Sequence, residues 1–197
     1  MRIPNATQQA QDWRIHDLVQ DFRLEDVWAY PSVTGSAADF DDLLALVTSN
    51  DPVNGDSAAT RFLWRVRDLL GRWFGLGSIT TPAEPADGSL LARLPNDLRG
   101  TANDIRFERL PFVSLFRTEN EFAAEIINRT VHGIMHLGWV ADGENRYHGQ
   151  MAVYVKPNGL FGQAYMAFIK PFRYAIVYPA QEKQVQRQWT TRRTYEH

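Results

Sequence analysis

Thr130-Val131-His132-Gly133-Ile134-Met135-His136-Leu137-Gly138-Trp139-Val140 is the stretch on which the reading of the fold turns. Val131, Gly133, Met135, Leu137 and Trp139 fall on one side of an extended chain, and Thr130, His132, Ile134 and His136 on the other. A period of two marks a strand, because successive side chains of extended backbone point to opposite faces. Asp142-Gly143 then supplies a tight turn. From Tyr147 to Lys156 the alternation resumes, with Met151, Val153 and Val155 set against Gln150, Ala152 and Tyr154. Two alternating runs joined by such a turn predict an antiparallel hairpin.

The pattern extends in both directions. Upstream, Phe112 to Phe116 and Phe122 to Ile127 read as two more strands, the second turning at Asn128-Arg129. Thr118 with Glu121 also spells a capping box, which leaves a helical turn at 119–125 open. Downstream, Pro157-Asn158-Gly159 turns the chain and residues 163–170, with Tyr165, Phe168 and Ile169, read as a further strand. Pro171 suits the first turn of a closing helix that carries Phe172, Ile176, Val185 and Trp189, kinked at Pro179.

Towards the N-terminus, residues 1–20 read as an irregular arm ending in a short ordered piece, Trp13-Arg14-Ile15-His16. Phe22, Leu24, Asp26 and Trp28 alternate up to Tyr30, a first strand that Pro31 is expected to close. Ser36 and Asp39 form a capping-type start for a helix with Phe40, Leu43, Leu44 and Val47 on one face. Ser57 opens a second helix whose stripe runs through Phe62, Leu63, Val66, Leu69, Leu70, Trp73 and Phe74 to a stop at Gly75. Residues 76–111, rich in Gly, Pro, Asn and Asp around Leu90, Leu91 and Leu94, read as an irregular insertion or a lid.

One α+β domain over residues 1–197 accommodates this order. Consecutive hairpins curve a sheet, its apolar face needs a cover, and the last helix is the long element left to provide it. The expectation is a helix-grip: a curved antiparallel sheet wrapped around a long C-terminal helix, with two helices after the first strand. The 44% hydrophobic and 22% charged composition is that of a globular chain. Absence of cysteine excludes disulfides, thiolate nucleophiles and cysteine zinc sites. With no secretory pattern at Met1-Arg2-Ile3-Pro4 and no apolar run of spanning length, the chain is expected to be cytoplasmic with no membrane span. The net charge of −2 divides into −7 for residues 1–60 (three Arg, ten acids) and +5 for 61–197 (eighteen basic, thirteen acidic). The densest basic group, Arg187, Arg192 and Arg193, complements a helix end, so no nucleic-acid partner is expected.

Two segments then resemble a known family: Asn128 through Val140, and Gly162-Gln163-Ala164-Tyr165 running through Ile169-Lys170-Pro171-Phe172-Arg173 to Tyr178-Pro179. Together with Trp13-Arg14-Ile15-His16 and Phe22 to Trp28, they look like the bacterial domain-of-unknown-function 2867 family. The resemblance implies a place among START-like and polyketide-cyclase-like (SRPBCC-like) helix-grip proteins, which commonly hold apolar small molecules. It carries over no catalytic residue.

No G-x-S-x-G elbow, P-loop, H-E-x-x-H or complete dinucleotide fingerprint occurs, so no catalytic residue and no cofactor are assigned. His132 and His136, four apart on a strand, stand about 13 Å apart and suit no shared metal; they are expected half-exposed on the outer sheet face. Met135, Trp139, Val153, Tyr165 and Phe172 are the candidate pocket lining, with Tyr154 and Tyr165 as polar tips. His132, Lys170 and Arg173 are the candidate polar or anion contacts, the last two flanking a helix start. The leading expectation is a binding module for a hydrophobic or amphipathic small molecule. The alternatives are a cyclase, dehydratase or hydrolase using His132, His148 or Tyr165 as acid or base, and an interaction domain forming a homodimer.

Overall fold

The structure, a computed structural model, describes residues 1–49, 88–108, 110–128, 130–160, 162–163, 166–167 and 185–191. The second predicted helix, at 57–74, lies outside these residues, as do Tyr165, Lys170, Phe172 and Arg173.

The fold is mixed α and β, built on one open six-stranded sheet. Its strands are β1 (Arg2–Ile3), β2 (Arg23–Gly35), β3 (Val113–Arg117), β4 (Glu121–Ile127), β5 (Val131–Ala141) and β6 (Tyr147–Pro157). They lie in the order β1-β2-β6-β5-β4-β3, and every neighbouring pair is antiparallel. The β5–β6 hairpin at the centre is the one its alternation predicts, with Met135 opposite Val153 and Trp139 opposite Gly149. The strands Phe112 to Phe116 and Phe122 to Ile127 appear as β3 and β4, shifted by a residue at their ends.

The helical turn considered for 119–125 is not formed. Its capping residues close a hairpin instead: Thr118 N donates to Glu121 O (2.8 Å), and Glu121 N donates to Thr118 Oγ1 (3.1 Å). Pro31 does not end the first strand either. β2 continues to Gly35, and the register with β6 slips between Tyr30 and Thr34. Proline has no N–H for the ladder, so the irregularity falls where the bond would be missing.

Of the strand expected over 163–170, residues 163, 166 and 167 are described and they are helical, not extended, as are residues 159–160 and 162. Gly162 N donates to Asn158 O (3.2 Å), the i to i−4 bond of an α-helix, and Asn158 N donates to Thr130 O (2.8 Å). Among the described residues from 159 to 167, Gly162 and Met166, four apart, are buried. A Cβ on Gly162 would strike the Thr130 carbonyl, so the bare glycine is what lets the turn lie against the sheet edge.

Residues 1–20 are more ordered than an irregular arm. They contain β1, α1 (Asn5–Gln9) and α2 (Ile15–Leu18). The predicted helix after Ser36 is present: a 3₁₀ turn at Ala37–Asp39 leads into α3 (Phe40–Thr48), and the Ser36–Asp39 capping box is formed in both directions. Within the insertion, residues 88–108 are irregular apart from a 3₁₀ turn at Leu90–Arg93, yet Leu90, Leu94, Leu98 and Ala102 are buried.

Both faces of the sheet are covered. On one, Trp28, Tyr30, Phe122, Met135, Leu137, Trp139 and Met151 meet α3 together with Val185 and Trp189. Of the long C-terminal helix expected over 172–190, residues 185–191 are described, and they are helical. On the other face, Val27, Ala123, Ile134, Ala152 and Tyr154 meet Trp13, Ile15, Leu18 and Val19 of the N-terminal segment and Leu90, Leu94 and Leu98 of the insertion. Apolar side chains thus leave water on both sides, at roughly 25 cal/mol per Å² of apolar area removed.

Candidate functional site

The face covered by the N-terminal segment carries a buried polar constellation. His132 and His136 do not stand half-exposed on an outer surface; His136 is 0% exposed and His132 8%. Each is joined to a glutamate of β4, on the same face and one diagonal step away: His136 Nε2 lies 2.9 Å from Glu121 Oε2, and His132 Nε2 lies 2.8 Å from Glu125 Oε2.

The two pairs are built alike. Each glutamate also receives the N-terminus of a short helical turn: Glu121 accepts from Arg14 N (2.8 Å) and Ile15 N (3.3 Å) at the start of α2. Glu125 accepts from Leu90 N (3.0 Å) and from Ser89 Oγ at the start of the 3₁₀ turn. An aromatic edge then closes over each imidazole, Trp13 on His136 with centroids 5.3 Å apart and Phe22 on His132 at 4.8 Å. Backbone N–H groups at a helix start have no partner within the helix, and a buried carboxylate needs donors. Each supplies what the other lacks.

The Glu121 site goes deeper. Gln8, at the heart of α1 and fully buried, donates its Nε2 to His136 Nδ1 (3.1 Å) and to Tyr154 Oη (3.0 Å). Its Oε1 accepts from Gln150 Nε2 (2.6 Å). With Nδ1 accepting, the imidazole carries its proton on Nε2 and donates it to Glu121. Burial lowers the His136 pKa below the ordinary imidazole value, against the Glu121 carboxylate, which acts to raise it. Burial likewise pushes the Tyr154 phenol up to about 12. Opposite Glu121 in the ladder stands Gly138, and a Cβ there would lie 2.8 Å from Trp13 Cζ2. The glycine lets the indole rest directly on the backbone.

Chemically, the arrangement holds a proton at a defined imidazole nitrogen and seals it from solvent. Because β5 is a strand, His132 and His136 serve different partners about 13 Å apart. Among the described residues no group of three or more metal-ligating side chains assembles. His148, the other described acid–base candidate, sits at the far end of the β5–β6 hairpin with Nδ1 3.2 Å from Asp142 Oδ2.

The predicted pocket residues Met135 and Trp139 occupy the opposite face, with Val153 half-buried beside them. Trp139 is the hub there: its ring lies 6.3 Å from Phe40, 6.3 Å from Tyr147 and 6.0 Å from Trp189, and its Nε1 donates to Ser36 O (2.8 Å). Asp26, fully buried, brings a carboxylate to the edge of that face, 3.9 Å from Arg2 Nε. Sequence reasoning missed Gln8, Trp13, Glu121 and Gln150. A signal was present: no Lys, Arg, Asp or Glu occupies the even positions from His132 to Val140, although a solvated strand face normally carries them.

No helix among the described residues is long and apolar enough to cross a membrane. No curated protein and no solved structure matches the chain. Residues 18–180, which include β2 to β6 and the Lys170-Pro171-Phe172 segment, match the family model described as protein of unknown function (DUF2867), and the chain belongs to that family.

Proposed function

We propose that this protein is a binding module that holds a hydrophobic or amphipathic small molecule between the aromatic face of its sheet and the C-terminal segment, in the manner of a helix-grip domain. The observation that carries this reading is the concentration of Trp28, Trp139, Trp189, Met135 and Met151 on one face, where strands and the 185–191 helix meet. Flat aromatic rings and flexible thioethers repack around apolar ligands at little cost, which branched aliphatic side chains do less well. The half-buried Val153 and the carboxylate of Asp26 add a rim and a polar end, as an amphipathic molecule requires.

The test is native mass spectrometry of freshly purified full-length protein, followed by titration with an environment-sensitive fluorescent fatty acid. Co-purified or saturable 1:1 uptake, lost in Val153→Trp while the far-ultraviolet circular dichroism is kept, supports the reading. Empty protein that leaves the probe unbound at every concentration tried removes it, and Met135, Trp139 and Val153 then serve as core alone.

A further inference from the structure

We propose that the contact between Gln8 and His136 is a proton-operated latch, which holds residues 1–20 on the sheet while the imidazole is neutral and loosens them when it takes up a second proton.

The hydrogen bonds around Gln8 have a fixed direction. They run one way: Gln150 Nε2 to Gln8 Oε1, Gln8 Nε2 to His136 Nδ1 and Tyr154 Oη, and His136 Nε2 to Glu121 Oε2. A proton added at Nδ1 would point at the Gln8 amide nitrogen, donor against donor. Turning the Gln8 amide over relieves that clash and creates another, because Gln8 Nε2 would then face Gln150 Nε2. Turning both amides sends the Gln150 nitrogen to the place its Oε1 now holds, and that buried oxygen has no hydrogen-bond partner among the described residues. Every neutral arrangement that accepts the extra proton leaves a buried donor unmatched.

The groups facing His136 come from each element packed on it. Glu121 on β4 favours the imidazolium, while His16 on α2 disfavours it. Tyr154 on β6 presents a neutral hydroxyl through Gln8, and Trp13 offers a ring edge. Burial outweighs the attraction of Glu121 and holds the pKa below the ordinary value of 6.5. Gln8 and Trp13, which lie against the ring, both belong to the segment that would leave. Once those residues lift, water reaches the ring and its affinity for a proton returns to ordinary. Release and proton uptake are therefore coupled. The latch is at full strength above the ordinary imidazole range and weakens as pH falls through it, by up to about tenfold in the release equilibrium per pH unit until the latched-state pKa is reached.

Hydrogen exchange of the full chain, corrected at each pH for the intrinsic amide rate, reads this directly. Amides of residues 5–19 are expected to lose protection by several-fold between pH 7 and pH 5, while those of β5 and β6 keep theirs. Equal protection across that range overturns the latch. Gln8→Glu places a carboxylate against the ring and should invert the trend, holding the segment more firmly in acid; His136→Gln should flatten it. A wild-type slope that survives in either variant overturns the assignment to this pair. Nitrogen-15 imidazole spectra of the unmodified protein give a check that needs no variant. The Nε2–H tautomer of His136 is required at neutral pH, and Nδ1–H would overturn the proposal.

Discussion

Glu121 is the residue on which the polar face depends most. Like Glu125 it serves three donors, here the part-buried Arg14 N and the buried Ile15 N and His136 Nε2, drawn from two elements far apart in sequence. Glu121→Ala leaves them all without an acceptor, and at about 1–3 kcal/mol for each of the two fully buried groups the loss should reach at least about 2 kcal/mol, read by urea unfolding. Tyr154 gives an optical check on the same place. Its phenol, pushed up to about 12, should remain protonated in an alkaline absorbance titration after exposed tyrosines have ionised near 10. Because its folded pKa exceeds the unfolded one, it adds stability that is complete below pH 10 and is lost as pH climbs from 10 towards 12. Little of this was legible in the sequence. His132 and His136 read as half-exposed because the segments that cover the deeper pair come from far along the chain: Gln8 lies 128 residues from His136, and Ile15 lies 106 from Glu121.

Elements were far more legible, wherever a local period or cap dictated them. The alternation in 131–139 and 147–156 found the central hairpin, and Ser36 with Asp39 found the start of α3. Ser36→Ala should cost about 1 kcal/mol by removing one half of a formed capping box, a shift measurable as a lower thermal midpoint. At Thr118 a strand and a helical turn were both open, and the hairpin contact with Glu121 decided for the strand. At 163–170 alternation alone pointed to a strand, with no sign of the packing of Gly162 on Thr130 that accompanies the helical residues found there. Pro31 did mark an irregularity, but β6 lies alongside on both sides of it and the strand resumes at Thr34.

At the scale of the whole molecule, the consequential fact is a sheet with no bare face among its central strands. A helix-grip is pictured with its outer surface in water; here the N-terminal segment and the insertion close that surface, bringing Trp13, Ile15, Leu18, Leu90 and Leu94 into one cluster with the strands. Removing residues 1–20 should uncover Ala123, Ile134 and Ala152 together with the Glu121–His136 pair. The truncated chain is then expected to bind more of an apolar dye such as ANS than the intact chain does, and to unfold less cooperatively.

That same closure sets an order of events during synthesis. Gln8, Trp13 and the start of α2 leave the ribosome long before Glu121, His136, Gln150 and Tyr154, the groups that receive them. β1 can pair with β2 early, but until β5 and β6 have emerged Gln8 and Trp13 lack the groups they settle on and stay open to chaperones or to neighbouring chains. Docking closes loops of more than a hundred residues, so it belongs among the last and slowest steps of maturation, after the β3 to β6 meander has formed from its own local turns.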